Sequence, residues 1–391
     1  MNKIRRVLVV GGGVGGLTAA TAFAQRGAEV VLIERRPAFD VPGVGLGQPA
    51  NALRINALRI YDALGVLEPI LATGFVYDHM CIFDSNRELI ARHKFLLGDD
   101  RVPAVCALSR LELHNILLAA AQRAGVEVRL GTMVQEMCDE GERVVAEFSD
   151  SRAESFDLIA GFDGIRSATR AYLVGTAFVP RPSGYGAWRL QVPRPDYVQA
   201  IEFLRGIGSK AGAMPLSNDL MYLFHIRPEA PDVVFAREDY PRLLRERLAQ
   251  YGSYVAEISA SLDASSDIVY SPIEPMLLPW PWFRGRVVIG GDAAHVFPPH
   301  LTQGAAIAAE DGYVLAAEAL ADDMPLEHRL MRYSQKRYAR SAFVYAFACQ
   351  WMDDEQSVRT ARDLAEAKAE MAQNASARIA ASDRILNAGI L

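Results

Sequence analysis

The sequence predicts an α/β fold that joins a parallel-sheet nucleotide domain to an inserted, mostly antiparallel β-sheet domain and a C-terminal helical segment. Three observations predict it. An apolar strand near the N-terminus runs into a glycine-rich turn and a helix. Short strands alternate with Pro- and Gly-containing turns from about residue 180 to 275, and an almost unbroken helical pattern follows residue 325. Such a change of secondary-structure pattern along one chain is typical of a protein with more than one domain.

The N-terminal turn has the spacing G-x-G-x-x-G of a Rossmann-type βαβ unit. Val7 to Val10 form an apolar run suited to a parallel strand that is covered on both faces. Gly11 permits the tight turn, Gly13 lets the backbone approach a pyrophosphate, and Gly16 lets the helix pack closely on the strand. The free amides at the helix start and the helix dipole favour phosphate there.

An acidic residue completes this motif. Glu34 closes the second predicted strand, which begins at Glu29, and it lies 18 residues after Gly16 (34 minus 16). A carboxylate at that distance is placed to accept hydrogen bonds from ribose hydroxyls. The basic start and apolar run also resemble a secretory signal, but the glycines inside the run and the lack of a cleavage site argue against one.

Composition limits the remaining function classes. The chain has 391 residues and a formal net charge of −6, so no basic field attracts nucleic acid. It has no apolar run long enough to cross a membrane. The four cysteines are scattered without a C-x-x-C pair, which predicts no metal site and no redox disulfide. We therefore expect a cytoplasmic protein without membrane or nucleic-acid partners.

The same patterns predict local elements and domain limits. We expect a flexible loop over 43–49, an amphipathic helix from Leu53 to Gly65, and a helix whose N-cap Ser109 forms a capping box with Glu112. One helix, near 240–251, is expected in the inserted sheet. The predicted domains are a discontinuous nucleotide-binding domain over 1–75, 100–180 and 276–345, a substrate-binding sheet over 76–99 and 181–275, and C-terminal helices over 346–391.

Two later segments repeat one pattern. Asp163-Gly164 and Gly291-Asp292 each follow an apolar strand and precede a helix start. An Asp in that place can be a simple N-cap. Two such segments in a chain that already has a Rossmann turn favour a shared role at a nucleotide.

With these three motifs in order, the chain resembles the single-component FAD-dependent aromatic hydroxylases, relatives of the salicylate, 3-hydroxybenzoate and 6-hydroxynicotinate hydroxylases. The resemblance runs from residue 5 to about 345. It implies that the first motif binds the ADP part of FAD, that the Gly291-Asp292 segment contacts the ribityl and pyrophosphate groups, and that the loop Pro299 to Gly304 lies against the isoalloxazine. The residues implied to bind the cofactor are Gly11, Gly13, Val14, Gly15, Gly16, Glu34, Arg35, Arg54, Arg110, Asp163, Gly164, Gly291, Asp292, Pro299, Gln303, Gly304 and Ala305.

The chain departs from the family pattern at three places. Thr302 stands where the family loop usually has glycine, and its β-carbon tightens the loop or narrows the space for the flavin. Phe162 replaces a small residue before Asp163. The Pro-Asn pair expected before Arg54 is spread over 49–51.

The family chemistry implies that NADH or NADPH reduces FAD and that O₂ then forms a flavin C4a-hydroperoxide, which hydroxylates an electron-rich ring. A second G-x-G-x-x-G is missing, so the nicotinamide nucleotide is expected as a transient reductant. A phenol or hydroxypyridine reacts better as its anion, which calls for a base near its hydroxyl.

Three residues are candidates for that base or for contact with the ring. His300 follows Pro299 in the loop expected beside the isoalloxazine, although a loop His often only bonds a carbonyl. Strand alternation places Tyr222 and His225 on opposite faces of strand 221–226, so one of them is expected to face the pocket. His295 is expected to make a structural hydrogen bond.

The sequence thus predicts an NAD(P)H-dependent monooxygenase that acts on a small hydroxybenzoate, phenol or hydroxypyridine. The alternatives are an epoxidase or reductase of the same fold and a non-catalytic FAD-binding protein. The substrate, the choice between NADH and NADPH, and a monomeric or homodimeric state stay open at this point.

Overall fold

Two large β-sheets organise the computed structural model, which describes residues 3–39, 50–321 and 324–387. The predicted flexible loop over 43–49 lies outside these residues. In chain order, the strands are β1 (Arg6–Val10), β2 (Glu29–Glu34), β3 (Ala50–Arg54), β4 (Phe75–Tyr77), β5 (His79–Asp84), β6 (Leu89–Lys94), β7 (Val105–Ser109), β8 (Glu127–Leu130), β9 (Val134–Asp139), β10 (Val144–Phe148), β11 (Ala153–Phe156), β12 (Leu158–Gly161), β13 (Tyr185–Pro193), β14 (Ile201–Gly206), β15 (Ser209–Pro215), β16 (Leu220–Pro228), β17 (Val269–Pro272), β18 (Met276–Leu277), β19 (Phe283–Arg284), β20 (Val287–Ile289) and β21 (His295–Val296).

The α-helices are α1 (Val14–Gln25), α2 (Ile55–Ala63), α3 (Leu67–Thr73), α4 (Arg110–Arg123), α5 (Ala168–Val174), α6 (Tyr240–Leu248), α7 (Ser253–Ser261), α8 (Gly304–Leu320), α9 (Leu326–Ser357) and α10 (Ala361–Asn387). Single 3₁₀ turns lie at Arg237–Asp239, Gly291–Ala293 and Pro299–Leu301. The mixture of helix and strand confirms the predicted α/β class.

The first sheet is the nucleotide-binding scaffold. Its order is β19-β20-β12-β1-β2-β8, and every neighbouring pair from β20 to β8 is parallel. Side chains of β1 alternate between two cores. Val7 and Val9 pack in the core that contains α1, α4 and α8, whereas Leu8 and Val10 pack with the antiparallel sheet β9-β10-β11. Coverage on both faces explains why the strand is a continuous apolar run.

The second sheet forms the floor of the inserted domain. Its order is β17-β13-β16-β15-β14-β5-β6, antiparallel except between β14 and β5. The strands β5 and β6 lie far upstream in sequence, and they join this sheet through the pairing of β5 with β14. Helices α6 and α7 cover one face of this sheet, and the opposite face turns toward β3, β7 and the cofactor domain.

Three sequence predictions need correction. Residues 50–54 form a strand that pairs with β7, so the helix predicted from Leu53 begins at Ile55. A second helix, α7, follows α6 where one was expected. The predicted boundary at 346 falls inside the continuous helix α9. The capping box at Ser109 and Glu112 is confirmed, because the Ser109 side chain accepts from the Glu112 backbone and the Glu112 side chain accepts from the Ser109 backbone.

Among the described helices, none combines the length and apolar character that crossing a bilayer needs. Within the same residues, His, Cys, Asp and Glu side chains form no group that could hold a metal ion.

Close packing of α8 on α1 gives a first testable prediction. A Cβ added to Gly312 would lie 2.7 Å from both the Ala19 amide nitrogen and the Gly15 carbonyl oxygen, so α8 would have to move. We expect Gly312→Ala to lower the free energy of unfolding by about 1–2 kcal/mol, since overpacking outweighs the better helix propensity of alanine. Chemical unfolding followed by circular dichroism measures the change. The control Ala317→Ser, on the half-buried part of the same helix, should stay close to the parent protein. A Gly312→Ala protein as stable as the parent would contradict the packing described here.

Candidate FAD and ring-binding site

The glycine turn near the N-terminus is held by the carboxylate of Glu34, the last residue of β2. Gly11 has a φ of +104°, which a residue with a Cβ rarely adopts. Glu34 accepts a hydrogen bond from the Gly12 amide at 2.9 Å and another from the Arg36 amide at 3.1 Å. The glycine turn and Glu34 therefore meet at the carboxyl ends of β1 and β2, where nucleotides bind in open parallel sheets. The side chain of Arg35 is exposed beside them.

His114, which sequence reasoning missed, supports the same turn from α4. Its Nε2 lies 2.7 Å from the Gly12 carbonyl oxygen, and its ring lies 4.1 Å from that of Phe39. Burial lowers the pKa of His114, so the neutral ring donates to the carbonyl. No motif in the sequence marks this residue, because its partner is a backbone atom more than 100 residues upstream.

A cavity of about 200 Å³ opens beside this turn. A Cβ built on Gly13, Gly164 or Gly304 would meet nothing within 4 Å, so their backbones border open space. The side chains of Arg110 and Asp292 also reach the cavity. The cavity is lined by residues of all three predicted motifs: Gly13, Val14, Gly15, Arg110, Phe162, Gly164, Gly291, Asp292, Gly304, Ala305 and Ala308.

This lining suits the pyrophosphate and ribityl groups of a dinucleotide, and we call this space the phosphate cavity. Helices α1 and α8 both begin at the cavity, so their free amides and dipoles favour an anion there. The Arg110 guanidinium offers charge-assisted hydrogen bonds to phosphate, and the Asp292 carboxylate can accept from hydroxyls.

Buried ion pairs hold the Gly291-Asp292 turn in place. Asp311 on α8 accepts from the Gly291 amide at 2.8 Å, lies 2.6 Å from His295 Nε2, and accepts from Arg337 Nε at 2.6 Å. These contacts lower the pKa of Asp311 against the opposing effect of burial. The structural hydrogen bond predicted for His295 is confirmed.

The carboxylate of Asp163 is placed differently from the prediction. It accepts from the Ser167 hydroxyl and from the Thr169 amide, at 2.5 and 2.9 Å, and thus caps the start of α5. The neighbouring Gly164, not Asp163, borders the cavity. Asp163 therefore supports the first turn of α5, whose N-cap is Ser167, and its contact with the cofactor stays a prediction.

A second cavity, of about 440 Å³, continues from the first toward the inserted sheet. The two share Arg110, Asp292, Gly304 and Ala305 as lining residues. Strands β13 to β16 provide one wall, and the segment from Val296 to Ala305 provides the other. The walls are mainly apolar, with polar groups from Arg189, Lys210, Tyr222, Ser271, Thr302 and Gln303. We call this space the ring cavity.

Of the three catalytic candidates, only Tyr222 lines the ring cavity. As predicted, Tyr222 and His225 lie on opposite faces of β16. Tyr222, Phe224 and Ile226 face the cavity, whereas His225 lies beside Tyr251. Burial there lowers the pKa of His225 to about 3. For Tyr222, burial raises the pKa, and the nearby Arg189 guanidinium opposes this shift. His225 is therefore corrected to a neutral core residue.

His300 lies beside the ring cavity, in a side pocket of about 40 Å³. Its Nε2 is 3.1 Å from Oε2 of Glu355. Pro299 and Thr302, on either side of it in the loop, line the ring cavity instead. The structure thus places His300 in the side pocket and not among the residues that line the ring cavity, and its role as a base stays a prediction.

Arg54 also lies in this side pocket, away from the phosphate cavity for which it was predicted. Its guanidinium pairs with Asp383 of α10 and lies 4.2 Å from the ring centre of Phe95. Thr302 adopts a left-handed φ of +53°, a conformation that residues with a Cβ rarely adopt.

A second residue that the sequence analysis missed, Asn56, anchors the loop over 299–304. Its Nδ2 donates to Gln303 Oε1 at 3.0 Å and to Glu310 Oε1 at 2.7 Å. Gln303 Nε2 is buried without a partner among the described residues, and Gln303 borders the ring cavity. The sequence carries a signal for Asn56, because the Asn-Ala-Leu-Arg of 51–54 is repeated at 56–59.

Comparisons with known proteins identify the family of the chain. Residues 5–348 match the family described as FAD binding domain. A putative FAD-dependent monooxygenase of Bacillus subtilis, YetM, is 31% identical over 86% of this chain and 90% of its own. The 2-heptyl-3-hydroxy-4(1H)-quinolone synthase of Pseudomonas aeruginosa is 31% identical over 86% of both. The structure of Klebsiella pneumoniae HpxO with FAD and uric acid aligns with a TM-score of 0.87 at 24% identity, over 98% of this chain and 97% of that one.

The chain therefore belongs to the FAD-binding-domain family, and it is an FAD-dependent monooxygenase of the aromatic hydroxylase type. Hydroxylases of 6-hydroxynicotinate and 3-hydroxybenzoate are among its more distant relatives, which confirms the resemblance found in the sequence.

The open space at Gly13 gives a prediction about the cofactor. Gly13 has a φ of −75°, which valine also adopts, so Gly13→Val should fold while its side chain fills the phosphate cavity. We expect FAD to bind at least about tenfold more weakly, the effect of losing one good contact. The ratio of flavin to protein absorbance after gel filtration and a fluorescence titration with FAD measure this. The control Ala153→Val, on an exposed strand position, should retain the flavin. Full FAD retention in Gly13→Val would exclude Gly13 from the cofactor contact.

Proposed function

We propose that this protein hydroxylates a small electron-rich aromatic or N-heteroaromatic ring, using NADH or NADPH as a transient reductant. The observation that carries the proposal is the continuity of the ring cavity with the phosphate cavity through Arg110, Asp292, Gly304 and Ala305. Bound FAD would span both, with its reactive ring facing the polar groups of β13 and β16. When bound, FAD supplies the activation of O₂.

The cofactor contacts that we infer follow from the lining. The starts of α1 and α8, together with Arg110, would bind the pyrophosphate, and Asp292 would accept from ribityl hydroxyls. Pro299, Gln303 and Gly304 would lie against the isoalloxazine. Gly11, Gly16 and Glu34 shape the turn that receives the adenosine end.

The ring cavity would hold the isoalloxazine and, beside it, a small ring substrate. Its volume of about 440 Å³ is within the usual range for small-molecule sites. Its apolar walls exclude water, which protects a reactive oxygen donor from side reactions. The quinolone in the name of one relative and the uric acid in the HpxO structure are both fused nitrogen heterocycles, which favours an N-heteroaromatic ring here.

Tyr222 is the residue that we propose to contact the ring hydroxyl. Its own hydroxyl lies near Arg189, which favours a negative charge at that place. A phenol bonded there loses its proton more easily, and its ring becomes more reactive toward an electrophilic oxygen.

The reaction class can be tested with a panel of hydroxybenzoates, hydroxypyridines, hydroxyquinolines and anilines. With a true substrate, NADH or NADPH consumption should accelerate, and mass spectrometry should find a product one oxygen heavier, with that oxygen derived from ¹⁸O₂. Only H₂O₂ with every ring would contradict hydroxylation. A product gained without O₂ would identify a reductase, and an oxirane would identify an epoxidase.

The role of Tyr222 gives a further prediction. We expect Tyr222→Phe to keep FAD and to lower kcat by about 10²–10⁴-fold, as the loss of an acid–base group does. The pH profile of kcat should also lose the limb that reports ionisation of the substrate hydroxyl. Tyr197→Phe is the matched control, because Tyr197 is half exposed on the inserted domain. Unchanged turnover and an unchanged pH profile in Tyr222→Phe would remove it from the reaction.

A further inference from the structure

The side pocket that contains His300 lies directly against the ring cavity. The two spaces share four wall residues, which are Ala52, Ile201, Phe203 and Thr302. The side pocket measures about 40 Å³. Because one water needs about 10–15 Å³ of such space, it has room for about three non-hydrogen atoms. This is the size of a substituent on a ring, and it is too small for a second ring.

Three polar atoms of the side pocket have no hydrogen-bond partner among the described residues. They are Nδ1 of His300, the hydroxyl of Tyr77 and Nε of Arg54, and each of these atoms is buried. His300 and Tyr77 are only 4% and 5% exposed. Buried polar atoms are nearly always paired in folded proteins, because an unpaired one loses its hydration without compensation. Three of them in one small pocket indicate a ligand that has polar groups of its own.

Glu355 determines which nitrogen of His300 carries the proton. Its Oε2 lies 3.1 Å from His300 Nε2, and its Oε1 accepts from Lys210 at 2.9 Å and from Arg205 at 2.7 Å. Burial alone would raise the pKa of Glu355, but the two cations lower it well below its ordinary value. An ionised carboxylate can only accept hydrogen bonds, so Nε2 of His300 is the donor.

The other ring nitrogen of His300 is therefore an acceptor. Burial lowers the pKa of His300, and the nearby Lys210 and Arg205 cations lower it further against the effect of Glu355. The ring is thus neutral, and a neutral imidazole with its proton on Nε2 has a lone pair on Nδ1.

The two other unpaired atoms of the side pocket are donors. Burial raises the pKa of Tyr77, so its hydroxyl retains the proton. Arg54 Nε carries a hydrogen, while the charge of its guanidinium is already paired with Asp383. A neutral group with both a donor and an acceptor can therefore pair with His300 and with one of these donors.

We propose that the side pocket binds a carboxamide or lactam group of the ring substrate, with His300 Nδ1 accepting from its N–H and Tyr77 or Arg54 donating to its oxygen. The inference rests on the proposed function, since it names the substrate class of the same site. A site built around a buried acceptor discriminates strongly against an analogue without the donor, because the acceptor is then left unpaired.

The test measures binding to the FAD-loaded, oxidised enzyme without reductant, by titration of the flavin absorbance. It compares ligands of nearly the same shape that differ in the N–H donor: benzamide with acetophenone, and 2-quinolone with coumarin. We expect the N–H ligand of each pair to bind at least about tenfold more tightly, the contribution of one hydrogen bond to a buried acceptor. An N–H group loses more hydration than the group that replaces it, so this preference requires an acceptor in the site.

Variants then assign the preference to His300. His300→Leu and His300→Met should bind both members of each pair equally, and the flexible Met side chain serves if the Leu variant folds poorly. His300→Asn retains an acceptor close to the position of Nδ1 and should restore most of the preference. His328→Leu is the matched control, because His328 is exposed near the start of α9, and it should behave as the parent protein.

Tyr77→Phe tests the other side of the same group. The hydroxyl of Tyr77 has no partner among the described residues, so its loss should leave the fold intact. We expect this variant to bind benzamide and acetophenone more weakly by the same factor, since both offer a carbonyl oxygen. The preference for the N–H ligand should therefore persist in Tyr77→Phe while it disappears in His300→Leu.

Two results would overturn the inference. One is equal binding of the N–H ligand and its partner by the parent protein, which needs no variant to be decisive. The other is a preference for the N–H ligand that survives in a folded His300→Leu or His300→Met protein. Because no turnover is needed, a hydroxylase without this preference refutes the inference alone, and the preference without hydroxylation refutes the proposed function alone.

Discussion

The buried acidic pair at Glu310 and Asp311 is the interaction on which the site depends. Asp311 holds the Gly291 amide, His295 and Arg337, while Glu310 holds Asn56 and the guanidinium of Arg340. Helices α2, α8 and α9 and the Gly291-Asp292 turn therefore meet at two adjacent carboxylates. Removing one partner from such a buried pair typically costs about 3–5 kcal/mol, because the remaining charge is left unpaired.

Helix α9 links this pair to the substrate end of the site. Near its start it supplies Arg337 to the acidic pair, and near its end it supplies Glu355 to Lys210 and Arg205. One continuous helix thus contributes to the geometry of both the cofactor turn and the ring cavity. The ion pair between Arg54 and Asp383 also connects β3 to α10 beside the same cavity.

Local patterns predicted which glycine-rich segments meet at the end of the parallel sheet, for a physical reason. The turn at 11–16, the closing Glu34 and the Gly291-Asp292 segment act through backbone conformation at the end of a strand, and short-range sequence encodes that conformation. Strand alternation likewise placed Tyr222 and His225 on opposite faces. Alternation alone did not identify which face meets the cofactor, since that depends on how two sheets pack.

By itself, the sequence determined the fold class, the order of the three cofactor motifs and the family. The tertiary structure alone decided which side chains line the ring cavity. His300 was expected to face the ring because it follows Pro299, yet Glu355, from a helix beyond the recognised motifs, turns it away. Arg54 was predicted to bind phosphate, but it pairs with Asp383. Asn56 and Lys210 are positioned by Gln303 and Glu355, which are distant in sequence. Ion pairs between residues far apart in the chain produce no motif of fixed spacing, so a local sequence pattern does not predict them.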